Sequence, residues 1–161
     1  MYINFNEYVE LYGTIHQPLF NRLAYDASKH IDRYTTGVDG VRKLKTYWPA
    51  DPGAVEAVKH CAAEIVFALQ QIQEAEQSAS LGRGYVQGEN GLHGKVVSSV
   101  SAGNESVTYT VANTQATAYD LAASDIVSRD KLIRDIVRKH LAGETDVNGV
   151  NLLYAGVYPR V

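Results

Sequence analysis

One stretch constrains the fold more than any other, "DPGAVEAVKHCAAEIVFALQQIQEAEQ" at residues 51–77. Val55, Val58, Cys61, Ala62, Ile65, Val66, Leu69 and Ile72 recur at steps of three and four, which lays a wide apolar stripe along a helix of about seven turns. Asp51 can cap the first turn, and Pro52 suits the first helical position, where a missing N–H leaves no bond unmade. This is the expected central helix, and the rest of the chain is read for what can surround it.

Two further segments have the same period. In "QPLFNRLAYDASKHIDRYT", Leu19, Phe20, Leu23, Ala24, Ala27, Ile31 and Tyr34 share one face, predicting a helix from about Pro18 to Tyr34 with the proline in its first turn. In "SRDKLIRDIVRKHLAG", Ser128 is the expected cap, Leu132, Ile133, Ile136, Val137 and Leu141 form the stripe, and Gly143 stops the helix after the basic run Arg138–His140. The aromatic opening allows a short helix from about Asn6 that ends at Gly13. Residues 35–50 read as a connector with a short strand or turn around Val41–Tyr47, and "TQATAYDLAAS" is ambiguous between loop and helix.

The middle of the chain changes character. After the glycine-rich "SASLGRGYVQGENGLHGK", Val96 and Val100 alternate with serines, Gly103 and Asn104 supply turn chemistry, and Val107, Tyr109 and Val111 alternate with threonines. The pattern predicts a β-hairpin, roughly Lys95–Ser101 against Ser106–Val111. Two strands alone are marginal in water, so such an arm needs a surface to lie against. The tail "NGVNLLYAGVYPRV" is apolar and aromatic without a helical period.

Composition excludes several functions. The 161 residues have a formal net charge of −3 and no basic run longer than "RKLK" at 42–45, so the footprint of a protein that grips phosphates is missing. A single cysteine, Cys61, leaves no intrachain disulfide and no Cys-type metal site. No apolar run is long enough for a bilayer, and the acidic N-terminus does not read as a signal peptide, which together point to folding in a cytoplasm. The phosphate-loop reading of "GENGLHGKV" fails because Glu89 and Val96 stand where a glycine and a hydroxyl are needed. The five histidines include no pair at the spacing of two ligands on one helix face. Asp26, Asp32 and Glu64 have no activated nucleophile to serve, and Ser98, Ser99 and Ser101 lie in no strand-turn-helix elbow. No catalytic residue, cofactor or metal site is therefore expected. The eleven tyrosines suit protein contact surfaces.

Four stretches taken in order resemble prophage and phage head-tail connector proteins. "FNEYVELYGTIHQPLFNRLAYDASKHIDRYTTG" is similar to their opening, "VKHCAAEIVFALQQ" to their second helix, "GKVVSSVSAGNESVTYT" to their serine-rich hairpin, and "HLAGETDVNGVNLLYAGV" to their ending. Departures are Val100 at a position often acidic, Ala155 at a position often arginine, and the inserted "TDVNG". The resemblance implies a mainly α fold, a small helical bundle of three main helices plus a short N-terminal helix, with a protruding β-hairpin and an extended C-terminal tail. In one domain over 1–161, the helical core would span about 6–79 and 128–142, the hairpin arm about 91–111 and the tail 144–161.

What the resemblance implies about function is a structural adaptor at the virion neck, assembled in the bacterial host cytoplasm. Its partners would be copies of itself in a ring, typically dodecameric, the portal protein, a downstream tail or stopper protein, and double-stranded DNA passing without specific binding. No membrane partner is implied. Val96, Val100, Val107, Tyr109, Val111, Leu152, Leu153, Tyr154 and Val157 are the expected inter-subunit or portal contacts. A chain cut after Gly149 is then expected to keep its helices and lose assembly. The alternative is a small helical binding or regulatory module that uses the hairpin to add a strand to a partner's sheet.

Overall fold

The computed structural model describes the backbone of residues 1–81, 83–88, 91–96, 99–102, 105–108 and 117–159, and the side chains of 1–77 and 117–159. Among these residues the body is helical: α1 (Phe5–Tyr12), α2 (Gln17–Thr35), α3 (Lys43–Thr46), α4 (Pro52–Leu81), α5 (Ala118–Ser124) and α6 (Ile126–Leu141).

α4 is the axis, about 45 Å long at 1.5 Å per residue, and α1, α2, α5 and α6 all pack on it. Val58, Ile65, Val66 and Ile72 are its large buried residues, while Ala54, Cys61, Ala62, Ala63 and Ala68 are buried small ones. The small side chains let neighbouring helices approach from more than one side, so the buried surface is wider than the stripe alone requires. α2 contributes Phe20, Leu23, Ala24, Ala27 and Ile31, and α6 contributes Ile133, Ile136, Val137 and Leu141. α6 runs antiparallel to α4: near one end Arg129 pairs with Glu76, and near the other Lys139 pairs with Glu64 at 2.8 Å.

The helix ends follow from local chemistry. α1 starts earlier than expected because Asn4 and Glu7 form a reciprocal capping box, with Glu7 N–H donating to Asn4 Oδ1 at 2.9 Å and Asn4 N–H to Glu7 Oε2 at 3.0 Å. It ends at Gly13, whose φ of 87° favours glycine. Asp51 caps α4, its Oδ2 accepting from Ala54 N–H at 2.9 Å. The ambiguous segment is α5, fixed by a second capping box between Thr117 and Asp120. For α6 the expected cap is corrected. Asp125 caps it, accepting from the Val127 and Ser128 N–H groups at 3.2 and 2.8 Å, because its carboxylate can serve two donors. Residues 43–46, expected as strand or turn, are the one-turn helix α3.

The expected fold class also needs correction: a protruding hairpin of the expected extent, Lys95–Ser101 against Ser106–Val111, is not seen, and of that pairing the described strands hold only Ser99–Ser101 facing Ser106–Thr108. No strand joins the helical body, where among the described residues the only β-type pairings are the isolated bridges Thr36–Arg42 and Thr145–Asn151. The strands described between 83 and 108 form two separate two-stranded ladders, β1 (Arg83–Gly88) with β2 (Gly91–Val96) and β3 (Ser99–Ala102) with β4 (Glu105–Thr108). Lys95 and Val96 pair with Gly84 and Arg83, while Ser106, Val107 and Thr108 pair with Ser101, Val100 and Ser99. A short loop costs less closure entropy than a long one, so the nearer segment captures them. The positions of Tyr109 and Val111 lie outside the described residues.

Candidate functional site

The tail expected to reach for other molecules is largely built into its own subunit. Its centre is Lys43, which is 1% exposed. The Lys43 ammonium donates to three backbone carbonyls, Thr35 O at 2.7 Å, Leu152 O at 3.0 Å and Tyr154 O at 2.7 Å. The end of α2 and the tail are thus held to one cation. Burial lowers the Lys43 pKa from its ordinary value, with the carboxylates of Asp146 and Asp39 acting in the opposite direction.

A second hub lies beside it. Asp146 accepts from Asn148 N–H at 2.9 Å and Val150 N–H at 3.0 Å through Oδ1, and from the Tyr158 hydroxyl at 2.7 Å through Oδ2. The Tyr158 ring stacks on Tyr47 with centroids 4.4 Å apart, and its N–H donates to Asp39 Oδ2 at 2.7 Å. Burial raises the Tyr158 pKa, and the hydrogen bond to Asp146 adds to it. Hydrogen bonds from the Tyr158 and Val41 N–H groups hold Asp39 below the ordinary carboxylate value. The backbones also meet, since a Cβ on Gly37 would lie 2.7 Å from the Gly156 carbonyl oxygen. A larger residue at 37 would push the tail away.

The expected contact residues therefore separate. Leu152 is fully buried in the core and Leu153 packs partly against it, so Leu152 is corrected from a contact residue to a core residue. A cut after Gly149 would remove this core side chain and two of the three Lys43 acceptors along with the exposed tail. Tyr154 and Val157 remain exposed, the latter at 65%. Val38, at 76%, is next to them because its N–H donates to Ala155 O at 3.1 Å. For Val96, Val100 and Val107 only the backbone is described.

An apolar cluster that the sequence reading missed sits at the α5–α6 elbow. Leu121, Ile126 and Val127 are exposed there, the last two at 74% and 71%. The signal is present in the sequence, two apolar residues directly after Asp125, but a cap at Ser128 leaves them in a loop without an assigned role.

Two of the three carboxylates considered for acid-base work, Asp32 and Glu64, are engaged in pairing. Asp32 accepts a short hydrogen bond from the Tyr2 hydroxyl and pairs with Lys45 at 2.9 Å. Glu64 lies 2.6 Å from His140 Nε2 and 2.8 Å from Lys139 Nζ. Among the described residues no group of three or more histidine, cysteine or acidic side chains could hold a metal ion, and no helix is long and apolar enough to cross a membrane. This arrangement can hold chain segments and present surfaces. Compared with known proteins, the chain matches no family model, no curated protein and no solved structure.

Proposed function

We propose that this chain is a structural head-tail connector of a tailed phage or prophage. Copies form a ring that docks on the portal and extends the DNA channel toward the tail. The resemblance of four stretches in family order supports this reading, as does an organisation of the site around holding and contact. The observation that carries it is the presence of two exposed apolar surfaces built from different elements, Val38 with Tyr154 and Val157, and Leu121 with Ile126 and Val127. A ring needs two unlike surfaces on one chain, whereas a two-fold dimer needs only one. The hairpin plays no part in this version. Duplex DNA would pass the ring without specific contacts, consistent with a net charge of −3.

The test is electron microscopy of the purified chain mixed with a phage portal protein. Rings stacked on the portal are expected, and Val157→Glu together with Ile126→Glu should remove them while leaving the helical circular dichroism unchanged. A chain that never decorates the portal, or one whose rings ignore both substitutions, would overturn the reading.

A further inference from the structure

Two grooves on the body carry opposite charge. The first, about 800 Å³, lies along α2 and the 36–45 segment, with Lys29, Arg33, Arg42 and Lys45 on its walls against one carboxylate, Asp32. Asp32 is already taken by Tyr2 and Lys45. Arg33 reaches Asp130 only at 3.7 Å between exposed side chains, Lys29 sits over the Tyr25 ring, and Arg42 has no ion pair among the described residues. The groove is therefore strongly positive on a chain that is negative as a whole.

The second groove, about 610 Å³, lies between α1 and the start of α4. Glu7, Glu10 and Glu56 surround an apolar floor that includes Leu11 and Val55. Lys59 neutralises Glu7 at 2.6 Å, which leaves Glu10 and Glu56 as the remaining carboxylates, Glu56 with His60 Nε2 at 3.6 Å beside it. Exposed Met1 and Tyr25 in the first groove and Leu11 in the second give each an apolar component as well.

We propose that the acidic groove of one copy docks on the basic groove of the next, and that this charged pair fixes the orientation of the ring's lateral contact beside the apolar surfaces. The proposal rests on the ring reading for its geometry. Like grooves repel each other, so the acidic groove of one copy is complementary only to the basic groove of another, and a head-to-tail ring needs one such contact per neighbour. Charge complementarity of this kind selects orientation and partner more than it adds raw affinity. The contact joins two different surfaces of the same chain, as a closed ring requires.

The experiment uses two double variants of the full chain, Lys29→Glu/Arg42→Glu and Glu10→Lys/Glu56→Lys, with all four positions on exposed side chains. Isotope-labelled and unlabelled copies are mixed at low salt, linked with a zero-length carboxylate-to-amine reagent, and the linked peptides identified by mass spectrometry. The wild type should give links between copies from Glu10 or Glu56 to Lys29 or Lys45, falling at least about tenfold in 0.5 M salt, where screening is short-ranged. Each variant alone should lose them. The equimolar mixture should restore association, because swapped charges are complementary again, and misfolding could not produce that rescue. Absence of links between copies, links at other sites, or a mixture no better than its components would overturn the proposal. So would salt-sensitive binding of duplex DNA in the basic groove with no link between copies. Rings seen on the portal despite such a result would leave the connector reading standing and remove only this contact.

Discussion

Replacing Lys43 by methionine keeps most of the side chain's volume and removes its charge and three donors. The Thr35, Leu152 and Tyr154 carbonyls then lose the partner they hold at 2.7 to 3.0 Å. Hydrogen bonds to a charged group contribute about 1.5–3 kcal/mol each, so the gross loss is roughly 5–9 kcal/mol over three. The ammonium no longer has to be desolvated, a relief of several kcal/mol, and water can reach the carbonyls nearest the exposed Tyr154. The net destabilisation should be about 3 kcal/mol, or a fall of about 1.5–2 M in the urea midpoint for a slope near 1.5–2 kcal/mol per M. Hydrogen exchange should place the damage, with amide protection lost across residues 145–158 while the middle of α4 and α6 stays protected relative to the new global stability. A midpoint within 0.3 M of wild type, or a tail as protected as before, would show that the Lys43 bonds contribute little and that apolar packing of Leu152 alone holds the seam.

Glu64 gives a pH signature. Burial raises its pKa, but hydrogen bonds from Lys139 and His140, with their charges, outweigh burial and leave it below the ordinary 4.5. A lowered folded-state value means stability that is present above the ordinary value and lost as pH falls through the folded one. Glu64→Gln should therefore lower the thermal midpoint most at pH 7, with the gap to wild type closing below about pH 4; a gap constant from pH 7 to 3 would remove the ionic contribution. Cys61 is fully buried, and its thiol is pushed up to about 12, first by burial and then by Glu64. At pH 8 a thiol-disulfide reagent should label the folded chain at least about a thousandfold more slowly than the chain in guanidinium, and equal rates would contradict the burial.

The bundle was legible because its signals are local and periodic. α2, α4 and α6 each repeat apolar residues on one face, and Gly13, Asp51 and Gly143 punctuate them with residues whose roles follow from backbone chemistry. The tail seam was not legible, since Lys43 and Leu152 are 109 positions apart and nothing around "RKLK" distinguishes a buried ammonium from a solvated one. Asp146, in "TDVNG", had a turn signal that could have been read, but its bond to Tyr158 is made by the fold. The mid-chain pairing was misjudged for a related reason. Alternating valines specify that a segment can pair and leave open with which neighbour, so "NG" at 90–91, a strong hairpin signal, had to be weighed against the turn at 103–104. The contact surfaces were half legible: exposure of Val157 fits a tail without period, whereas burial of Leu152 depends on a pocket that only the folded helices create.

The span between residues 43 and 152 has a consequence during synthesis. At 5–20 residues per second a ribosome needs roughly 5–20 seconds to travel from one to the other, and throughout that interval the α2–α3 corner has no carbonyls from the tail to receive its cation. The Lys43 side chain must wait in water, and the socket for Leu152 must wait open or filled by something else. The emerging polypeptide should thus pass through a stage in which α1 to α4 are collapsed around an unsealed corner, exposed to proteases and holding chaperones until the far segment arrives and closes it.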